Sequence, residues 1–142
     1  MDVELAEIRD FLARHAPFDD LPAAALAELP RRMTVRYARR GTHVLEPDTD
    51  PDGLYVVRSG AVDLVDATGE LMERVGAGGA FGIAALMERV PTGYRASATE
   101  DTLLLVLPRD EFSRLERQHP GFALFFAETH HARLRRAIGH PQ

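Results

Sequence analysis

The sequence predicts an α+β fold in which an antiparallel β-roll of the jelly-roll type (a double-stranded β-helix) lies between N-terminal and C-terminal helices. The chain has 142 residues, the length of one ordinary domain. Apolar residues recur at helical spacing near both ends, and short strand-like segments about 8–12 residues apart fill the middle. We therefore predict a single domain over residues 1–142, with helices in 2–30, the β-roll in 32–107 and C-terminal helices in 109–138.

Two short helices are predicted before the β-roll. Ala16-Pro17 ends the first helix, and Pro30 closes the second, whose sequence is AAALAEL. Asp20 or Leu21 is the expected cap of the second helix, with Pro22 in its first turn. The first helix is indicated by apolar residues near helical spacing, namely Val3, Leu5, Ile8, Phe11 and Leu12.

The apolar period changes to two after residue 32. Met33, Val35 and Tyr37 alternate with polar residues, which predicts a half-buried strand. The segment Pro47–Gly53 is a concentrated turn signal. Further strands are predicted at 42–45, 54–58, 61–65, 71–75 and 102–107.

Helical character returns at Pro108, and His119-Pro120 separates two C-terminal helices, the second ended by Gly139 and Pro141. Three phenylalanines mark one side of that last helix. We leave two interpretations open for them, packing on the β-roll and a dimer or interdomain surface. The candidate interface residues are Phe122, Phe125 and Phe126.

Composition excludes several functions. Cysteine is absent, so disulfides, thiolate metal sites and a cysteine nucleophile are excluded. The net charge of -5 argues against a general nucleic-acid binder, although all 17 basic residues are arginines. The first ten residues are acidic where a secretory signal is basic, and no apolar run reaches the ~18 residues of a membrane span. We expect a cytoplasmic protein with no membrane partner.

The segment Gly76–Leu86, GAGGAFGIAAL, is the most informative stretch for binding. Glycines allow close approach of a ligand and leave N–H groups free for an anion. A short helix beginning at Ile83, beside Gly82, would add its positive end. The alternative is a flexible loop that caps the roll. The pattern is neither GxGxxG nor a P-loop.

Three runs resemble the cyclic nucleotide-binding domain, the family of the protein kinase A regulatory subunits and the bacterial catabolite activator. They are residues 41–45, 54–62 and 76–86, and Gly41, Gly60 and Gly82 carry most of the similarity. The resemblance implies an eight-stranded β-roll with helices at both ends. Residues 99–112 and 119–126 are more narrowly similar to the N-terminal sensor domain of bacterial signalling proteins that continue into CBS pairs and a predicted nucleotidyltransferase.

The family's phosphate-binding cassette reads F-G-E-[LI]-A-L, then P-R-x-A-[ST] after a few residues. The resemblance implies that the Glu holds the ribose hydroxyl and the Arg pairs with the cyclic phosphate. Without gaps, Ile83 stands at the Glu position and Thr92 at the Arg position. A second register inserts three residues and gives Arg95 the phosphate role. The candidate ligand-binding residues are Phe81, Gly82, Ile83, Ala84, Ala85, Thr92, Gly93 and Arg95.

Losing two hydrogen bonds to charged groups would cost about 3–6 kcal/mol, or about 10²–10⁴ in affinity. We therefore expect ordinary cAMP binding to be weak or lost, while a different nucleotide or another anionic ligand remains compatible with the site. No catalytic constellation is visible, so we predict a non-enzymatic regulatory domain without a cofactor. The alternative is a ligand-free β-roll that is kept for assembly.

Partners are predicted from the same residues. A homodimer or a downstream domain of a longer parent protein is expected. The family's transcription factors carry a helix-turn-helix after the last helix, whereas this chain ends at Gln142, so DNA is not an expected partner. His130 and His131 are adjacent and point about 100° apart on a helix, and His43 stands alone, so no metal site is expected.

Overall fold

The computed structural model describes residues 3–138, with side chains described through Arg136. The predicted helix-ending residues Gly139 and Pro141 lie outside the described residues. Two four-stranded antiparallel sheets face each other, with strand orders β1-β8-β3-β6 and β2-β7-β4-β5. The described strands are β1 (Thr34–Ala38), β2 (His43–Leu45), β3 (Gly53–Ser59), β4 (Val62–Val65), β5 (Leu71–Val75), β6 (Ala80–Phe81), β7 (Arg95–Ala98) and β8 (Thr102–Pro108). The predicted α+β fold with an antiparallel β-roll is confirmed.

Helices flank the roll at both ends of the described chain, and one short helix interrupts it. They are α1 (Val3–Leu12), α2 (Ala23–Arg32), α3 (Ile83–Glu88), α4 (Arg109–Gln118) and α5 (Pro120–Ile138), with a 3₁₀ turn at Phe18–Asp20. α3 begins directly after Gly82, as the sequence predicts.

The limits of α2 correct two expectations. Pro22, not Asp20 or Leu21, occupies the N-cap position, and no side chain caps the helix. Pro30 does not end the helix, which continues to Arg32. Proline fixes φ near the helical value, so a proline in the last turn forgoes one hydrogen bond without forcing the chain out of the helix. Pro30 is buried at this position.

The sheet containing β3 and β8 separates two apolar cores. The helix-side core lies between this sheet and the helices and includes Leu54, Val56 and Phe126. The inter-sheet core lies between the two sheets and includes Tyr55, Val57 and Leu64. Because successive side chains of a strand point to opposite faces, β3 is apolar at consecutive positions and contributes to both cores.

The alternation in β1 is real, but its apolar face is not buried as expected. Val35 and Tyr37 are 54% and 57% exposed. β1 is an edge strand that pairs with β8 alone, with Val35 opposite Leu105 and Tyr37 opposite Leu103. Helix α1 covers this face incompletely, leaving a groove lined in part by Val35 and Leu103. Periodicity identified the strand, and the sheet order decided its burial.

Candidate functional site

The turn between β6 and α3 requires glycine at position 82. Gly82 has φ of +87° and is the N-cap of α3. A Cβ there would lie 3.3 Å from the carbonyl oxygen of Gly53, which is tighter than ordinary contact. Phe81 before it is buried and stacks on Tyr55 with ring centroids 5.2 Å apart. The side chain of Phe81 therefore anchors the start of the candidate cassette in the inter-sheet core.

Tyr94 occupies a central position that the sequence analysis missed. The backbone N–H of Gly82 donates a hydrogen bond to the Tyr94 hydroxyl at 2.8 Å. Tyr94 is only 8% exposed and belongs to the inter-sheet core, and burial raises the pKa of its hydroxyl. An N–H group expected to be free for an anion is thus used within the chain. The inward alternation of Tyr94, Ala96 and Ala98 was the available signal.

Thr92 is buried against the turn at residues 47–49, which precedes β3 in the chain. Its hydroxyl donates to the Thr49 carbonyl at 2.8 Å, and its N–H donates to the same oxygen at 3.0 Å. The Asp48 N–H in turn donates to the Thr92 carbonyl at 2.7 Å. These bonds tie residue 92 to the turn at 47–49.

Arg95 lies on the outer face of β7 and is 45% exposed. Its Nε–H donates to Glu46 Oε1 at 2.8 Å, while His43 Nδ1 lies 3.0 Å from Glu46 Oε2. The hydrogen bonds from Arg95 and His43 hold the pKa of Glu46 below its ordinary value. Arg95 is therefore engaged on the side of the strand opposite Tyr94 and Ala96.

Three of the sequence-predicted site residues meet at one cavity of about 100 Å³. They are Ile83, Ala84 and Gly93, while Thr92 and Arg95 lie elsewhere and Phe81 and Ala85 are buried. The remaining lining residues are Met72 of β5, Tyr94 directly before β7, and three residues of α5, namely His130, Arg133 and Leu134. The cavity thus lies between the start of α3 and the last turns of α5.

Arg133 fastens α5 to the roll beside this cavity. Its Nε–H donates to Glu73 Oε1 at 2.9 Å, and its Nη2–H donates to the Ala80 carbonyl at 2.6 Å. Arg136 also donates to Glu73, at 2.9 Å. Burial of Glu73 opposes its ionisation, but the two arginines outweigh burial and hold its pKa below the ordinary value.

Two buried nitrogen atoms at the cavity are unpaired. Arg133 Nη1 and His130 Nε2 make no hydrogen bond among the described residues. His130 Nε2 lies 3.2 Å from Glu88 Oε2, but the alignment is not that of a hydrogen bond. The side chains of His130 and Arg133 are 7% and 8% exposed. Both line the cavity.

The three candidate interface phenylalanines differ in burial. Phe122 and Phe126 are buried in the helix-side core, where they contact Phe18 and Phe112. This is the core-packing alternative. Phe125 is 37% exposed and is the member of the three that lies at the surface.

The described residues provide neither a metal-binding cluster nor a membrane-spanning helix. Between residues 3 and 136, no group of three or more His, Asp or Glu side chains is arranged to hold a metal ion. None of the helices in this described part of the chain combines the length and apolar character needed to cross a membrane.

The sequence model of the cyclic nucleotide-binding domain matches residues 35–119, more than half of the chain. The chain belongs to the cyclic nucleotide-binding domain family. Domains of this family are regulatory modules.

Solved structures share the fold of this cyclic nucleotide-binding domain. The PKAR CBD2 structure with bound Sp-2Cl-cAMPS has a TM-score of 0.82 at 14% identity and covers 97% of this chain and 94% of that one. The sensor domain of the transcriptional regulator DNR from Pseudomonas aeruginosa has a TM-score of 0.77 at 19% identity, covering 98% and 96%. The regulatory domain of Toxoplasma gondii PKA with cAMP has a TM-score of 0.72 at 24% identity, covering 80% and 45%.

A curated relative places a similar segment in a longer protein. Glutaminase 1 of Bradyrhizobium diazoefficiens is 32% identical over 109 residues, which cover 77% of this cyclic nucleotide-binding domain. The match covers 18% of the length of that relative.

Proposed function

We propose that this cyclic nucleotide-binding domain is a non-enzymatic regulatory module of a longer bacterial signalling protein in the cytoplasm, and that cAMP is not its ligand. The family membership supports a regulatory role. The proposal about cAMP rests on the residues of the cassette.

The observation that carries it is the hydrogen bond from the Gly82 N–H to Tyr94. A phosphate held by the N–H groups of the cassette would have to take this donor from Tyr94, a buried side chain. Ile83 and Thr92 also stand where the ungapped family pattern has an acid and an arginine. Each lost hydrogen bond to a charged group costs about 1.5–3 kcal/mol, so a micromolar site would become millimolar.

Calorimetric titration with cAMP, cGMP, AMP and ATP tests this proposal. We expect no saturable heat up to about 1 mM nucleotide, since RT ln Kd at 1 mM already corresponds to only about −4 kcal/mol. Micromolar binding of a cyclic nucleotide would contradict the proposal.

The Arg95→Ala variant separates the two cassette registers in that titration. If a cyclic nucleotide binds the native chain and the variant loses it, Arg95 has the phosphate role of the second register. Arg109→Ala is the matched control, because Arg109 is a partly exposed arginine that donates to the Pro51 carbonyl, away from the cassette.

Assembly is the second candidate function, and the surface of α5 favours it. Leu124, Phe125 and Leu134 are large apolar residues at the surface of this helix. We expect a homodimer by sedimentation equilibrium, weakened at least tenfold by Phe125→Asp. Val3→Asp, at an exposed position of α1, is the control. A monomer at all concentrations, with no partner domain in the parent protein, would refute this role.

The parent protein is proposed to carry CBS pairs and a predicted nucleotidyltransferase after this domain, on the narrower resemblance of residues 99–126. The glutaminase relative illustrates a different arrangement. The size of the natural protein on an immunoblot, followed by mass spectrometry of its peptides, distinguishes the two.

A further inference from the structure

The cavity between α3 and α5 is too small for a nucleotide. Its volume is about 100 Å³, whereas sites for drug-sized ligands typically have about 300–1,000 Å³. An apolar cavity of about 150 Å³ accommodates a benzene molecule, and each water in the liquid takes about 30 Å³. A ligand of four to six heavy atoms is the size that fits.

The cavity has two kinds of wall. Met72, Ile83, Ala84 and Leu134 are apolar, and α5 contributes the two unpaired nitrogens of His130 and Arg133. Residues i and i+3 of a helix lie on the same face, so both nitrogens belong to one side of the cavity. A buried donor without an acceptor costs free energy, which a ligand oxygen would recover.

The charges at this site favour an anion. Arg133 and Arg136 share the single carboxylate of Glu73, which leaves one positive charge without a partner. Glu88 is the other carboxylate near His130, and its side chain is half exposed and can turn to water. Arg133 keeps Glu73 as its counter-charge, and the excess positive charge of this cluster lies on the more exposed Arg136. The unpaired Nη1 of Arg133 therefore offers a ligand a free donor on a cationic group, beside a second arginine.

We propose that this cavity binds a short-chain monocarboxylate, with the carboxylate on Arg133 and His130 and the alkyl group against Met72, Ile83 and Leu134. A phosphate fits less well, because the apolar wall would leave some of its oxygens without donors. A planar carboxylate presents both oxygens to one side and matches a guanidinium group. The inference deepens the proposed regulatory function, on which it rests, by naming the ligand class of a regulatory site.

Binding would act on α5 through contacts already present. Arg133 also holds the Ala80 carbonyl at the entrance to the Phe81–Gly82 turn. A carboxylate on Arg133 would therefore join α5 to the roll and α3, and we expect slower amide hydrogen exchange along α5 on binding.

The test is a ¹H–¹⁵N NMR titration of the 142-residue chain with sodium acetate, propionate, butyrate and hexanoate at constant ionic strength. We expect saturable shifts at the Gly93, Tyr94 and Leu134 amides. Affinity should rise by about fourfold for each methylene that fits, as for burial of a CH₂ group, and then fall for hexanoate. Propionamide, sodium chloride and inorganic phosphate are the comparison ligands, and we expect none of them to saturate these shifts.

Two substitutions that leave the Arg133 contacts in place identify the site. His130→Leu should weaken propionate binding by about tenfold or more, the effect of one hydrogen bond to a charged group, while His131→Leu on the exposed side changes it less than twofold. Ala84→Leu should abolish binding by filling the cavity, and Ala24→Leu at an exposed position of α2 should not.

The inference is overturned by the absence of saturable shifts up to about 50 mM propionate, by equal affinity for phosphate or propionamide, or by equal effects of the two histidine variants. These outcomes are independent of the nucleotide titration. A chain silent towards both propionate and cyclic nucleotides refutes this inference and leaves the regulatory function to assembly. Micromolar cAMP binding refutes the proposed function whatever propionate does.

Discussion

At the scale of single residues, Tyr94 connects the candidate site to the inter-sheet core. Its ring belongs to the inter-sheet core, and its hydroxyl accepts the hydrogen bond of the Gly82 N–H. The same side chain thus fills space between the sheets and satisfies the backbone of the cassette. Its contribution to stability is measurable because phenylalanine keeps the ring and removes only the hydroxyl.

Tyr94→Phe should lower the free energy of unfolding by about 1–3 kcal/mol, because it leaves the buried Gly82 N–H without an acceptor. Burial raises the pKa of the Tyr94 hydroxyl above its ordinary value of about 10. The neutral hydroxyl therefore contributes fully below pH 10, and its contribution is lost as the pH rises through the folded-state pKa. Urea denaturation at pH 8 and above pH 10 measures this effect. The difference in free energy of unfolding between the native protein and Tyr94→Phe should be smaller above pH 10 than at pH 8.

The control for this prediction is Tyr37→Phe. Tyr37 lies at an exposed position of the edge strand β1, so its loss should change the unfolding free energy by less than about 0.5 kcal/mol. Equal effects of the two substitutions at pH 8 would show that the hydrogen bond to Gly82 contributes nothing.

At the scale of elements, the contact between β5 and α5 positions the last helix. Glu73 of β5 accepts hydrogen bonds from Arg133 and Arg136, one turn apart on α5. Arg133 continues to the Ala80 carbonyl at the start of β6. The consecutive strands β5 and β6 thus meet the distant helix α5 at one buried guanidinium group.

Glu73→Gln should destabilise the fold by about 1.5–3 kcal/mol, since it leaves the buried Arg133 without its counter-charge. The cost stays below that of a fully buried pair because the Glu73 side chain is 29% exposed. The pKa of Glu73 lies below its ordinary value, so its contribution is present above about pH 4.3 and is lost as the pH falls through the folded-state pKa.

Chemical denaturation at pH 7 and at pH 3 checks this prediction. The difference in free energy of unfolding between the native protein and Glu73→Gln should be smaller at pH 3 than at pH 7. Glu70→Gln, at an exposed position just before β5, is the matched control. An equal difference in unfolding free energy at both pH values would mean that the charge of Glu73 is not the stabilising feature.

At the scale of the whole molecule, one sheet is shared by two cores. Phe126 belongs to the helix-side core, and Tyr55 and Tyr94 belong to the inter-sheet core. Strands β3 and β8 contribute side chains to both. Loss of packing on one side should therefore be transmitted to the other, because a shared strand cannot leave one core and remain in the second.

Phe126→Ala should lower the free energy of unfolding by about 3–5 kcal/mol while unfolding stays a single transition. Far-UV circular dichroism follows the helices, and tyrosine fluorescence follows the inter-sheet core, since the chain has no tryptophan. Both signals should shift to the same lower midpoint. Leu124→Ala, exposed on the same helix, is the control, and a fall in the dichroism midpoint alone would show that the two cores unfold independently.

Local patterns in the sequence determined much of the fold. The strand predicted at 71–75 is β5 (Leu71–Val75), and the helix predicted to begin after Gly82 is α3 (Ile83–Glu88). These features follow from the alternation of side chains and from glycine at a positive φ, which depend on neighbouring residues. The family resemblance rested on the same short runs, and the family model confirmed it.

Tertiary structure decided the burial of β1 and the composition of the candidate site. Val35 and Tyr37 have the period of a half-buried strand, but their exposure depends on which strand pairs with β1 and how far α1 reaches over it. Tyr94 meets Gly82 across 12 residues, and Arg133 meets Glu73 across 60. The sequence by itself determined the order and type of the elements, because these depend on local spacing. Only the tertiary structure decided which donors at the cavity are hydrogen-bonded and which are unpaired. The physical reason is that each donor meets its partner through long-range contacts, which local spacing does not specify.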